Sequence, residues 1–474
     1  MKLSVLATTG RDPAAPLAIS MPAGDVEVIR WLRVLPGQRY VAEATWSGKH
    51  VLAKLFVGDK AERALKRERE GVRLLQMQQI TTPELLAEGH ESGEGGWLLF
   101  AFLDHAQSID DRWAAVQSEP LLSDSQSDVL AQALSTLAQM HLRGIWHDDL
   151  HLDNLLYRDG ATYVIDGDGV AGEQPGRALS RAKVLENLGI FFAQLPSTID
   201  PHIETLLVHY LLVNGEHALP LEALLANVQR VRAWRLRDYL AKAGRDCSLF
   251  SVSRNGSELQ AIRRVWRDRL QPVLLAADEH LERGVRYKGG GTATVARIEV
   301  QGEAVLLKRY NIKGATHWLR RFWRPSRAWH SWIEGLRLEF LGIATARPLG
   351  MLETRWMGLR GRAYLVTEHL DGQDIIARFA PYIEATPPDD ELAALDTLFA
   401  ALRTNRISHG DLKGHNIFWH QGRWTLIDLD AVQQHKTEAG FEAAYARDRA
   451  RFLRNWPASS ALHALLDARL PRAD

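Results

Sequence analysis

Residues 147–154 read HDDLHLDN and residues 409–416 read HGDLKGHN, and this pair decides the fold. After a short turn each octet is followed by an apolar run containing an aspartate: ATYVIDGDGV at 161–170 and RWTLIDLDAV at 423–432. His147 and His409, Asp149 and Asp411, Asn154 and Asn416, and Asp166 and Asp428 are all separated by the same 262 positions. A gapless register over such a stretch marks an internal repeat.

The repeat extends upstream with gaps. HVLAKLFV (50–57) and EAVLLKRY (303–310) are apolar runs interrupted by Lys54 and Lys308, and their alternation reads as strand. Each is followed by a charged helical stretch containing EGVRLL (70–75) or EGLRLE (334–339), then by a strand-like run, LLFAFLDH (98–105) or YLVTEHLD (364–371). A chain of 474 residues exceeds one ordinary domain of roughly 150 residues. The expected class is α+β, with two tandem protein-kinase-like domains, each having a small β-rich N-lobe and a larger helical C-lobe. The expected divisions are an irregular N-terminus over 1–25, a first domain over 26–265 and a second over 266–474.

The repeated residues are those that phosphoryl transfer needs, because that chemistry depends on positioning and charge neutralisation. Asp149 and Asp411 are placed to orient an acceptor hydroxyl and take its proton. Asn154 with Asp166, and Asn416 with Asp428, offer hard oxygen ligands for magnesium. Lys54 and Lys308 are placed to hold the ATP phosphates, each oriented by a helix glutamate. Glu70 and Glu334 are assigned that role, with Glu68 competing because the helix phase is open by a turn. YKGGGT (287–292) supplies Gly289, Gly290 and Gly291 as a flexible turn able to approach phosphates, whereas LPGQRY (35–40) has one glycine.

With these motifs in view, the chain resembles the lipopolysaccharide core kinases, the family of WaaP-type heptose kinases and Kdo kinases. The likeness is densest over 307–350, LKRYNIKGATHWLRRFWRPSRAWHSWIEGLRLEFLGIATARPLG, and continues in SHGDLKGHNIF, WTLIDLDAV, IWHDDLHLDNLLY and YVIDGDGV. The resemblance implies ATP- and magnesium-dependent phosphorylation of an inner-core sugar hydroxyl on the cytoplasmic face of the inner membrane. It departs from protein kinases at the metal strand, where Asp166-Gly167-Asp168 and Asp428-Leu429-Asp430 stand in place of Asp-Phe-Gly. The roles of Asp168 and Asp430 are left open. So are a protein or small-molecule acceptor, and a catalytically idle first copy.

Composition narrows the setting. One cysteine, Cys247, excludes an internal disulfide framework and fits a reducing cytosol. The sequence has no run of 18 apolar residues and no signal-peptide pattern, so the chain is expected to stay inside the cell unless it lies on a membrane surface, which the resemblance implies is the inner face of the inner membrane. Lys and Arg balance Asp and Glu at 58 each, but the charges segregate. The run THWLRRFWRPSRAWHSW (316–332) interleaves Arg320, Arg321, Arg324 and Arg327 with Trp318, Phe322, Trp323, Trp329 and Trp332. It reads either as an anionic membrane or glycolipid contact or as N-lobe packing. No nucleic-acid motif accompanies it, so no nucleic-acid partner is expected.

Overall fold

The computed structural model describes residues 1–117, 119–311, 325–356 and 359–472. The chain forms two compact units, Met1–Ala233 and Trp234–Asp474. The division falls inside the helix Leu221–Lys242.

In the first unit, among the described residues, six antiparallel strands are ordered β1-β2-β3-β4-β6-β5. They are β1 (Leu17–Ile19), β2 (Val26–Leu35), β3 (Arg39–Trp46), β4 (Lys49–Phe56), β5 (Leu85–Glu91) and β6 (Gly95–Ala101). Residues 1–25 are therefore not wholly irregular, because Leu17–Ile19 pairs with β2 and Leu3 and Leu6 are buried in the same core as Tyr40 and Val51. Helix α1 (Ala61–Met77) turns Leu65, Glu68, Gly71, Val72 and Leu75 inward at helical spacing. Below the sheet, a helical core collects Leu130, Leu134 and Leu137 from Asp124–Leu142 with Leu188, Phe191 and Phe192 from Arg181–Phe192.

The second unit carries a seven-stranded sheet among its described residues. Its edge strand Phe250–Arg254 pairs with Glu258–Arg263, which pairs in turn with Pro348–Trp356. These strands lie before residue 266, so the expected domain start comes too late in the chain. SRNGS at 253–257 is the hairpin turn between them, with Asn255 Oδ1 accepting from the Ser257 and Glu258 amides at 2.9 and 2.8 Å. The helix Arg327–Phe340 is capped by Ser326, whose hydroxyl accepts from Trp329 N at 3.0 Å. A second core joins Phe379, Phe399, Trp424, Phe441 and Phe452 beneath it.

Candidate active site

In the first unit Lys54 lies on β4 and is 7% exposed. Its ammonium donates to Asp166 Oδ1 at 3.1 Å and to Glu68 Oε1. Glu68 is fully buried and also accepts from the Gly167 and Asp168 amides, at 3.0 and 3.3 Å. The approach is close: a Cβ on Gly71 would stand 1.9 Å from the Gly167 carbonyl oxygen, so only glycine fits there. Burial alone would lower the Lys54 pKa, but Glu68 and Asp166 outweigh it and the net shift is upward. Burial likewise works to raise Asp166, and Lys54 and Arg39 overcome it, holding the carboxyl well below the usual range.

Glu70 does not pair with Lys54. It is exposed, 3.9 Å from Lys66 one turn away. The helix phase decides this: Glu68 shares the inward face with Leu65, Val72 and Leu75, and Glu70 points away. The apolar positions of α1 carried that signal in the sequence.

The second unit anchors its lysine differently. Lys308 donates to Asp428 Oδ1 at 2.6 Å and to both Asp430 oxygens at 3.2 Å. Glu334 is buried but binds Arg337 at 2.8 Å, so it is not the partner of Lys308. When the two helices are matched at Gly71 and Gly335, the place of Glu68 is taken by Trp332, which is fully buried. No carboxylate reaches Lys308 from that helix position, and Asp430 supplies one. Asp430 also accepts from Tyr310 Oη at 2.7 Å, from Ser331 Oγ at 2.8 Å and from Arg327. Burial would raise its pKa, but Lys308 and Arg327 hold it at about 2. Asp168 has another role, facing Arg67 Nε at 3.0 Å.

The two loops repeat each other closely. His147 and His409 are fully buried. Their Nε2 atoms donate to main-chain carbonyls, to Asp166 O at 2.9 Å and to Ile427 O at 3.0 Å. Asp166 and Asp428 both adopt left-handed backbone, φ 66° and 59°, a strained conformation for residues other than glycine. Asn154 and Asn416 donate their amide hydrogens to the Asp149 and Asp411 carbonyls at 2.8 and 2.9 Å. That orientation leaves each amide oxygen for a cation.

Each loop is tied to its helical core by a different group. Asn187 donates to His147 O at 2.8 Å, and the buried His141 meets Asn187 Oδ1 at 2.9 Å. Burial pushes the His141 pKa down to about 4, so the ring is neutral. In the second unit Asp448 Oδ2 accepts from the His409 and Gly410 amides at 2.6 and 3.1 Å. The surroundings of the two candidate bases also differ. Asp149 is 3.0 Å from His151, whose hydrogen bond lowers its pKa. Asp411 is 3.1 Å from Lys413 and 2.5 Å from Arg451.

The glycine turns diverge as well. Gly290 and Gly291, φ 82° and 63°, join the strands Val285–Lys288 and Ala293–Val300, and a Cβ at either would meet open space. A Cβ on Gly289 would touch only the Arg286 side chain. In the first unit the turn at Gly37 is backed by the N-terminal segment: Tyr40 Oη lies 2.8 Å from Leu6 O and 2.6 Å from Thr9 O. A Cβ on Gly58 would stand 2.4 Å from Gly37 O.

Among the described residues no group of three or more His, Cys, Asp or Glu side chains is gathered for a metal. Asp166 with Asn154, and Asp428 with Asn416, are pairs of oxygen donors, which fits an ion that takes its remaining ligands from phosphates and water. Of the run 316–332, residues 316–324, with Trp318, Arg320, Arg321, Phe322, Trp323 and Arg324, lie outside the described residues. Its described end is N-lobe packing: Trp332 is fully buried, Trp329 packs on the same core, and Arg327 is bound to Asp430.

The model of the lipopolysaccharide kinase (Kdo/WaaP) family matches residues 50–190 and 287–455, well over half of the chain and one segment in each unit. The chain belongs to the Kdo/WaaP family. Its mixed α/β architecture is that of a kinase-like family, and membership makes it a lipopolysaccharide kinase relative for which ATP use is general. No curated protein matches the sequence. Among solved structures it is similar to a WaaP in complex with acyl carrier protein, at 15% identity and a TM-score of 0.33, over 44% of this chain and 86% of that one. No helix among the described residues is long and apolar enough to cross a membrane.

Proposed function

We propose that the chain is a tandem of two protein-kinase-like domains, that it uses ATP and magnesium, and that it phosphorylates a sugar hydroxyl of the lipopolysaccharide inner core. The observation that carries this reading is the duplicated constellation. In each unit a strand lysine meets the aspartate that follows the second strand, beside an asparagine bound to the carbonyl of the candidate base. Lys54 and Lys308 bind the α- and β-phosphates. Asp166 and Asn154, or Asp428 and Asn416, hold magnesium, which neutralises phosphate charge during transfer. Asp149 and Asp411 orient the acceptor hydroxyl and receive its proton. The acceptor is a glycolipid at the cytoplasmic face of the inner membrane, and residues 316–324 are assigned to that anionic surface.

The open Gly290–Gly291 turn favours a division of labour in which the second domain transfers phosphate and the first serves as its scaffold. The test is incubation with ATP, magnesium and dephosphorylated core lipopolysaccharide, followed by location of new phosphate by mass spectrometry. Protein and small-molecule acceptors run in parallel. New phosphate on the core sugar supports the reading, and phosphate found only on another acceptor overturns its substrate.

A further inference from the structure

Beside Asp411 lies a cavity of about 660 Å³ lined by Ser408, His435, Arg447, Asp448, Arg451 and Arg454, among others. The three arginines recur at spacings of four and three along the helix Glu438–Leu453 and its C-cap, so they share one face. The cavity's single lining carboxylate, Asp448, is spent on the His409 and Gly410 amides. Arg451 reaches Asp411 Oδ1 at 2.5 Å. Arg447 and Arg454 are exposed, and among the described residues neither has a carboxylate partner. Three guanidinium groups facing one cavity repel each other, and a bound anion would relieve that repulsion.

The first unit shows that the kinase-like loop does not itself require these charges. Asn187 tethers the first loop as Asp448 tethers the second. Counted from those tethers, the positions of Arg447, Arg451 and Arg454 are held by Glu186, Ile190 and Ala193. Cations near a helix C-terminus also complement its dipole. That effect does not account for Arg447, which lies outside the last turn, nor for the reach of Arg451 to Asp411.

We infer that this cavity is an anion subsite of the second domain that holds a phosphate or carboxylate group of the acceptor while its hydroxyl lies at Asp411. The inference rests on the proposed kinase reading for its placement of the acceptor, but not for the binding itself. An anion drawn to Arg451 competes with Asp411 for that guanidinium. Acceptor binding thereby loosens the ion pair that holds the base, and Asp411 is freed only when the substrate is present.

The test uses the full chain saturated with magnesium and a non-hydrolysable ATP analogue, so that anions report on this cavity and not on the nucleotide cleft. Inorganic phosphate and a sugar carboxylate, gluconate, are titrated separately by calorimetry against wild type and an Arg447→Gln/Arg454→Gln variant. The expected result is binding of at least one probe by wild type and a loss of at least about tenfold in the variant, as for charge-assisted hydrogen bonds. The stronger probe identifies which anion the subsite takes. No binding by wild type, or equal binding by both proteins, overturns the inference. In turnover with core lipopolysaccharide, the variant should raise acceptor KM about tenfold while kcat and ATP KM hold. An acceptor stripped of phosphate and esterified at its carboxylates should abolish that difference. If wild type transfers no phosphate to any core acceptor, the kinase reading fails while the calorimetric result stands on its own.

Discussion

The two units place the same lysine against the same aspartate and secure it by different means. In the first, Glu68 on α1 joins Lys54 to the Gly167 and Asp168 amides, so helix, strand and loop close on one buried carboxylate. In the second the helix offers Trp332 at that place, and Asp430 gathers Lys308, Tyr310, Ser331 and Arg327. The lesson is that a buried ammonium fixes the need for a carboxylate but not its origin. Any nearby element that can deliver one satisfies the desolvation cost.

The largest effect that would sharpen the comparison is on chemistry. Asp411→Asn is expected to lower phosphate transfer by about 10²–10⁴-fold with ATP binding retained, because the shape stays and the proposed base is lost. Asp149→Asn should lower it far less. Steady-state kinetics on both variants decides, and the reverse ranking would move the chemistry to the first unit.

Next comes stability. Glu68→Gln leaves Lys54 buried with one partner fewer, and breaking a buried pair costs about 3–5 kcal/mol. Denaturant unfolding should show the first unit melting early with the second unchanged. Glu334→Gln should cost less, since its partner Arg337 is less deeply buried than Lys54 and keeps its hydrogen bond to Gln434.

Acid unfolding separates the units more finely. The Asp430 carboxyl is depressed to about 2 from an ordinary 3.8, so its contribution is complete above the ordinary value and is lost as pH falls through about 2. Asp430→Asn should remove that part of the acid transition in the second unit. A circular-dichroism titration showing the same acid limb in wild type and variant would break the assignment of Asp430 as the hub.

A smaller effect is expected at the glycine turn. Gly291→Val places a β-branched residue at φ 63°, costing roughly 1–2 kcal/mol in a left-handed backbone. ATP KM should rise severalfold with kcat nearly kept. Smallest of all, Glu70→Gln should change neither ATP KM nor stability by more than about 0.5 kcal/mol, because Glu70 is exposed. A large effect there would restore Glu70 as the lysine's partner.

The sequence by itself determined the repeat and, through it, the residues that meet: the shared spacing of 262 carried His, Asp, Asn and Asp into the same local geometry twice. Such motifs are legible because a loop of fixed length between short strands leaves few ways to place its side chains. The strands holding Lys54 and Lys308 were legible for the same reason, since alternation is a local property. The helix partner was legible only in part: little more than half a turn separates Glu68 from Glu70, the apolar positions of α1 point to Glu68, and packing against Gly167 fixes it. Tertiary structure alone gave Asp430 its role, through contacts from Tyr310, Ser331 and Arg327, as far as 120 positions away. It alone also moved the second sheet's edge back to Phe250, where a hairpin pairs with Pro348–Trp356 across the sequence. Long-range pairing and burial depend on what arrives from elsewhere in the chain, and no local pattern records that.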